Sequence, residues 1–561
     1  MSSLKSLRMI LGHAGLLLAW IAPDQVPPWT TYHHEFFMVV GVFLLMPWKH
    51  LLVFPPRIAI LMLLWVICIL LQAPMHGLSR DDMAAGLLFA VLFGMAAQQG
   101  AQAASTSLHH DLTYSVRSWC LVILVAAVIS AVIGLAQWSG ANLGLWMLES
   151  GGRAYANFGQ PNHLATLLVM AIAVLVYLDG RGSLNRLVLV GIAMLLCCAL
   201  AVSESRTGAL SLALLCLLLV VFGRRAGLSK TLWWLLPCFL VFLLIYIHLD
   251  RIAPWFGGTA LRTGIGLNPT GRLEIWKQML WSLQQEPWLG FGWLRLGASH
   301  FAAASVFLSI LNIDHAHNLL LDLLLWFGVP LGGLLIVAGG GWCARTVVDA
   351  LGKKMSTNSL CCVAIILPIA VHSMLEYPYA YLYFSLSAGF FAGALEAEIG
   401  CAREFSKSTK RIYQGMVLAV LAVCAFIAVE YPKIEEDYRA LRLENQFITS
   451  AEQRHTYHSP PRLLTQYGEL IASQRNDAQA PDAGKSPELA RRLAERFPWL
   501  STHLHYYLAL VRKDRCQEAA EQWKVYKVLF GRFGVLKAEE QIEKWSLQAA
   551  CPSSRAEAMK P

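Results

Sequence analysis

Long apolar runs separated by short polar stretches recur from the N-terminus to about Glu430. Runs near twenty residues match the hydrocarbon thickness of a bilayer when coiled as helices. They predict spans at 9–22, 36–47, 58–73, 84–98, 118–137, 163–179, 187–203, 209–222, 231–248, 318–338, 359–373, 381–397 and 412–429. That is about thirteen spans in an all-α polytopic membrane protein. The first run, Met9 to Ile21, follows Lys5 and Arg8 without a signal-peptide cleavage pattern, so it is expected to be retained.

Beyond residue 430 the pattern turns charged and amphipathic. Tyr431–Phe447, Arg462–Ser473, Ser486–Phe497, His503–Val511 and Gln517–Phe530 each carry a helical stripe, and the stretch Asn476–Lys485 reads as a polar linker. Stacked helix pairs of a tetratricopeptide-like kind fit this spacing, without a clean repeat. Two domains are therefore expected: a membrane part, 1–429, containing one long loop, 249–317, and a helical tail, 430–561.

Composition agrees with the pattern. Of 561 residues, 56% are hydrophobic and 14% charged, well below the charge density of a soluble domain. The net charge of +9 is spread among loops, and the one dense basic stretch, Arg403–Arg411, lies between apolar runs. Nucleic acid is therefore not an expected partner. Most of the 13 cysteines fall inside apolar runs without ligand spacing. Cys516 and Cys551 lie in the tail, and a disulfide between them would close a loop of about 35 residues, worth roughly 3–4 kcal/mol; two unpaired thiols are the alternative.

Placing the N-terminus in the cytoplasm puts Lys5, Arg8, Lys49, Arg57, Arg117, Arg181, Arg186, Arg224, Arg225, Lys230, Arg345, Lys353, Lys354, Arg403, Lys407, Lys410 and Arg411 inside. The short outside loops then hold only Arg80, Arg153 and Arg206. This asymmetry fixes the orientation. Loop 249–317 and the tail fall on the outer, periplasmic side.

Five outer stretches carry chemistry. The first, Gly152–His163, holds Arg153, Asn157, Gln160, Asn162 and His163 just before a span. A turn with Asn162 as helix cap is its simpler reading. The second, Ser203–Gly208, sets Arg206 at the membrane boundary. A guanidinium there suits bidentate phosphate binding; pairing with Glu204 or snorkelling is the alternative. The third, Asn268–Trp276, puts Arg272 near the first turn of an amphipathic helix, where it is either a ligand or surface charge, and Pro287–Gly292 follows.

The fourth is Asp314-His315-Ala316-His317-Asn318, directly before the apolar run Leu319–Phe327. Ionisable groups at the head of a span are costly and usually functional. A histidine at the surface can move a proton near neutral pH. Two histidines can also bind metal, yet no outer carboxylate cluster completes a site, and capping or packing is the plainer use. The fifth, His372–Pro378, brings Glu376 and Tyr377 to the outer end of a span that Pro378 terminates.

Arginines suit a pyrophosphate leaving group and a histidine suits deprotonating a hydroxyl. The outer compartment lacks nucleoside triphosphates, so the substrate carries its own activation. A lipid-linked pyrophosphate sugar meets each demand.

Gly159-Gln160-Pro161-Asn162-His163-Leu164-Ala165, Ser205-Arg206-Thr207-Gly208, Gly271-Arg272 with Trp276, His315-Ala316-His317-Asn318-Leu319 and Glu376-Tyr377-Pro378, in this order, resemble the Wzy/O-antigen ligase (WaaL) superfamily. Within it, the Gln-Pro-Asn-His and Glu-Tyr-Pro elements and the tail look most like the PglL-type (PilO-like) protein O-oligosaccharyltransferases. The resemblance implies a GT-C-like enzyme of the bacterial inner membrane. It would move a preassembled oligosaccharide from undecaprenyl pyrophosphate to Ser or Thr of a periplasmic acceptor such as a pilin, without metal, nucleotide or other cofactor. It marks His317 as catalytic and Arg206 and Arg272 as pyrophosphate ligands. Gln160, Asn162, His163, His315, Asn318, Glu376 and Tyr377 would position substrate. A ligase acting on lipid A-core and a glycan polymerase share this chemistry. A transporter or flippase is the rival of another class, but its ionisable groups belong near the midplane, whereas here they crowd the outer ends.

Overall fold

Every expected span falls on a helix in the computed structural model, which describes residues 2–48, 53–105, 116–144, 147–148, 153–260, 270–307, 310, 312–352, 355–445, 461–475 and 486–544. The helices are α1 (Ser2–Ile21), α2 (Tyr32–Leu44), α3 (Pro56–His76), α4 (Arg80–Ser105), α5 (Val116–Trp138), α6 (Pro161–Gly180), α7 (Arg186–Val202), α8 (Arg206–Phe222), α9 (Leu232–Ile247) and α10 (Leu249–Ile252). They continue with α11 (Thr270–Gln285), α12 (Gly297–Ala303), α13 (Leu319–Leu351), α14 (Thr357–Ser373), α15 (Leu382–Glu398), α16 (Lys407–Asn445), α17 (Thr465–Gln474), α18 (Pro487–Arg496), α19 (Leu500–Arg512) and α20 (Cys516–Lys544). Strands β1 (Val53–Phe54) and β2 (Arg403–Glu404) form one antiparallel pair.

Among the described residues seven helices are long and apolar enough to cross a membrane, and α1, α7, α8 and α14 are shorter apolar helices. The chain is thus an all-α membrane protein. Gly152, Asn268, Pro269, the linker 476–485 and Cys551 lie outside the described residues.

The chain divides into two compact units. The first comprises 1–64, 88–268 and 337–424; the second comprises 65–87, 269–336 and 425–561. The expected domain boundary at 429/430 falls inside α16.

In the first unit α6 is the central element. Leu164 to Leu178 are buried on every side of the helix, which explains a sequence apolar all round. It packs against α5, α7, α8 and α14. Close approach is paid for with small residues: a Cβ at Gly393 would lie 1.8 Å from the Ala97 carbonyl oxygen, so α4 and α15 meet backbone to backbone.

In the second unit the first half of α13 ends at a sharp break. Gly328 has φ 71. The Pro287–Gly292 segment lies along the break: Phe291 N–H donates to the Leu325 carbonyl (2.7 Å), Gly292 N–H to that of Trp326 (3.1 Å), and Val329 N–H to that of Pro287 (2.7 Å). A Cβ at Gly290 would lie 2.4 Å from the Leu325 carbonyl oxygen. Glycine is required at both positions, and Pro330 then restarts the helix.

The expected amphipathic tail helices are present as the end of α16 and α17–α20. Carboxylates anchor them to the rest of the second unit. Asp81 accepts from the Thr465 hydroxyl and from Gln466 N–H, both at 2.8 Å. Asp82, 2% exposed, accepts from Arg496 Nε at 2.8 Å. Arg295 pairs with Glu495. Phe301 of α12 packs on the core of α18–α20.

Candidate functional site

In the first unit, the stretches before α6, before α8 and after α14 converge. The N-cap of α6 is Gln160, whose Oε1 accepts from His163 N–H at 2.9 Å. The capping expected of Asn162 therefore belongs to Gln160. Asn162 is a bridge: its Oδ1 accepts from the Ser205 hydroxyl (2.6 Å) and its Nδ2 donates to Glu376 Oε1 (3.3 Å). Ser205 also caps α8, accepting from Gly208 N–H at 3.0 Å. Arg206 is the first residue of α8 and its side chain is exposed.

Arg153 ties the first two stretches together. Its guanidinium donates to the carbonyls of Ser203 (3.0 Å) and Glu204 (3.2 Å). Gln137 Oε1 accepts from the N–H groups of Tyr155 (2.8 Å) and Ala156 (2.9 Å). These bonds hold two non-glycine residues at positive φ, Ala156 and Glu204. His163 is buried, with Nδ1 3.1 Å from the Tyr383 hydroxyl. His372 lies beside it, its Nδ1 2.8 Å from the Thr166 hydroxyl. Glu376 is buried; Tyr377 is half-buried and stacks on Tyr381.

In the second unit, Arg272 is the third residue of α11, half-buried. Trp276, one turn on, donates from Nε1 to the Ala316 carbonyl at 3.1 Å. Residues 314–318 form a bent, non-helical lead into α13. Asn318 caps that helix: its Oδ1 accepts from Leu321 N–H (3.1 Å) and its carbonyl from Asp322 N–H (2.9 Å). His315 Nδ1 lies 3.0 Å from Asp322 Oδ2, while Ala316 N–H donates to Asp322 Oδ1 at 2.6 Å. His317 has φ 54 and is half-buried.

Gln160, Asn162, His163, Arg206, Glu376 and Tyr377 thus belong to one unit, and Arg272, His315, His317 and Asn318 to the other. Ser205, Arg153, Gln137 and Asp322 emerge only from the structure as the groups that hold them. Among the described residues no group of three or more His, Cys, Asp or Glu is placed to hold a metal ion.

Residues 189–336 match the O-antigen ligase family, 154–178 the protein glycosylation ligase family, and 360–534 the C-terminal part of a virulence-factor membrane-bound polymerase family. Gln160, Asn162, His163, Arg206, Arg272, His315, His317, Asn318, Glu376 and Tyr377 each lie in one of these stretches, whereas Gln137 and Arg153 precede them. A general O-oligosaccharyltransferase of Acinetobacter baylyi is 28% identical over 418 residues, 70% of this chain and 71% of that protein. A ComP-specific O-oligosaccharyltransferase of the same organism is 28% identical over 297 residues, 51% of this chain and 52% of that protein.

Proposed function

The chain belongs to the O-antigen ligase superfamily, in its PglL-type protein-glycosylating branch, and on that premise we propose that it is a protein O-oligosaccharyltransferase acting at the outer face of the bacterial inner membrane. It moves a preassembled oligosaccharide en bloc from undecaprenyl pyrophosphate to a Ser or Thr hydroxyl of a periplasmic, pilin-like protein. The observation that carries the reading is the rigid lead into α13. It offers an imidazole, His317, on a backbone fixed by Trp276 and Asp322, inside the stretch that matches the ligase family.

The acceptor hydroxyl oxygen attacks C1 of the reducing-end sugar while His317 takes its proton. The new C1–O bond forms with inversion as the bond from C1 to the pyrophosphate oxygen breaks. The electron pair leaves with the lipid pyrophosphate. Arg206 and Arg272 neutralise that developing charge with paired N–H groups. Gln160, Asn162, His163, His315, Asn318, Glu376 and Tyr377 shape the surfaces around sugar and diphosphate.

The positive-inside count supports the periplasmic placement of loop 249–317 and tail 430–561, as does the compact unit that residues 269–317 share with the tail and the α3–α4 turn. A disulfide-bonded Cys516 in the tail suits an oxidising compartment.

Purified protein incubated with lipid-linked glycan and a pilin-like acceptor tests the reading. Glycan on the protein acceptor supports it. Glycan moved only to lipid A-core makes the chain a ligase, a lengthened lipid-linked glycan makes it a polymerase, and no transfer at all revives transport.

A further inference from the structure

Within the run Leu319–Phe327 one residue is not apolar: Asp322. Its side chain is wholly buried, at 0% exposure, in the first turn of α13. A buried carboxylate costs several kcal/mol, about the worth of a small domain's margin, unless its oxygens are bonded. Here both are, to consecutive residues. Oδ1 takes the Ala316 N–H at 2.6 Å, and Oδ2 faces His315 Nδ1 at 3.0 Å. On the opposite side of the same residue, the Ala316 carbonyl takes the Trp276 indole N–H at 3.1 Å. Trp276 itself packs on the apolar cluster that joins α11 to α13.

Ala316 is therefore gripped at its N–H and at its C=O, and the peptide that follows leads into His317 at φ 54. A left-handed non-glycine residue costs about 1 kcal/mol or more and persists only where its surroundings over-determine it. The two grips, one from α13 and one from α11, supply that determination. A favourable charge at a helix N-terminus would place an acid in the first turn, but it requires neither full burial nor a fork across two successive residues.

We infer that Asp322, opposed by Trp276, is a positioning residue for the transfer reaction: it fixes the 315–317 turn so that the His317 imidazole meets the acceptor hydroxyl in one orientation. This rests on His317 being the base.

The test measures kcat and both KM values for Asp322→Ala, Asp322→Asn, Trp276→Phe and His317→Ala, each normalised to monodisperse protein by size-exclusion chromatography. Asp322→Ala lowers kcat on the order of 100-fold, the usual consequence of misplacing a reacting group by about 1 Å. Both KM values stay within about threefold, because orientation acts in the transition state. Asp322→Asn keeps an oxygen for the Ala316 N–H and recovers roughly tenfold of that loss. Trp276→Phe removes the indole N–H, keeps a smaller aromatic ring against the cluster, and lowers kcat about tenfold. Wild-type kcat in both Asp322→Ala and Trp276→Phe overturns the inference, as does a loss carried by KM alone. Should Asp322→Ala not accumulate, Trp276→Phe decides, since it leaves the buried charge paired. Undiminished transfer by His317→Ala would instead sink the assignment of the base. An inactive His317→Ala beside unaffected Asp322 and Trp276 variants removes only the positioning role.

Discussion

The Ser205 hydroxyl donates to the Asn162 side-chain oxygen at 2.6 Å, binding the first turn of α8 to the first turn of α6. The other end of the same amide donates to Glu376 at 3.3 Å. Asn162 thus joins three stretches that are far apart in sequence through one acceptor and one donor, and only an amide of this length supplies both. Asn162→Asp keeps the acceptor for Ser205 but sets a carboxylate against Glu376. The expected cost is about 1–3 kcal/mol, with glycan transfer down about tenfold. Adding Glu376→Gln returns a donor to the contact with its polarity reversed, so the double variant is more active and melts higher than Asn162→Asp alone. Transfer assays and melting curves of the four proteins check this; strictly additive losses would show that the bond carries no coupling.

Arg206 opens α8 and Arg272 stands in the first turn of α11. Unpaired backbone N–H groups and the helix dipole at such positions favour an anion. A lysine keeps the charge but loses the planar fork. Arg206→Lys and Arg272→Lys are each expected to cut kcat/KM for the lipid-linked donor by about tenfold or more, corresponding to one lost charged hydrogen bond of about 1.5–3 kcal/mol. Steady-state kinetics with varied donor measures it. Full activity in both would mean that positive charge alone suffices.

Apolar periodicity made the helices legible, because a span must bury its backbone bonds within itself and cover them with apolar side chains. Motif order also singled out the stretches before α6, α8 and α13 and after α14. Partnerships across the sequence were not legible. Arg153 reads as one more ligand donor before α6, yet it spends its guanidinium on the carbonyls of Ser203 and Glu204. Asp322 vanishes into a leucine-rich run when hydropathy is averaged, although a lone acid inside a span is itself a signal. The grouping of the tail with 269–336 and the α3–α4 turn rests on Asp81, Asp82 and Glu495 finding partners hundreds of residues away. Local pattern carries no information about such pairs.

Cys516, at the start of α20, is disulfide-bonded, and Cys551 is its expected partner. A non-reducing digest should yield one cross-linked peptide containing both. Cys516→Ser, or reduction of the folded protein, is expected to remove about 2–4 kcal/mol of tail stability. Hydrogen exchange along α18–α20 would then rise while exchange in α6 stays unchanged. A wild-type digest with both thiols alkylated without reduction would refute the pairing.

Acid should loosen the second unit through His300 and His503. Both side chains are wholly buried where α12 packs against the tail helices. Among the described residues neither ring nitrogen of His300 has a hydrogen-bond partner, and His503 keeps one, Gln522, at its Nδ1. Burial pushes His300 down to about 4. Burial, aided by His300, pushes His503 down to about 3. Unfolded, each titrates near 6.5. Between about pH 6.5 and 4 the unfolded chain therefore binds protons that the folded chain refuses. Stability is fully present at neutral pH and is lost on acidification, at about 1.4 kcal/mol per pH unit for each histidine. Melting of the full chain in detergent, followed by tail hydrogen exchange, should fall steeply from pH 7 to 5. His503→Phe keeps the stack on Phe301 and should make the slope shallower, leaving the shares of His300 and of His505, which burial also pushes down to about 4. An unchanged melting temperature across that range in the wild-type protein would mean that these two imidazoles are not held neutral in the fold.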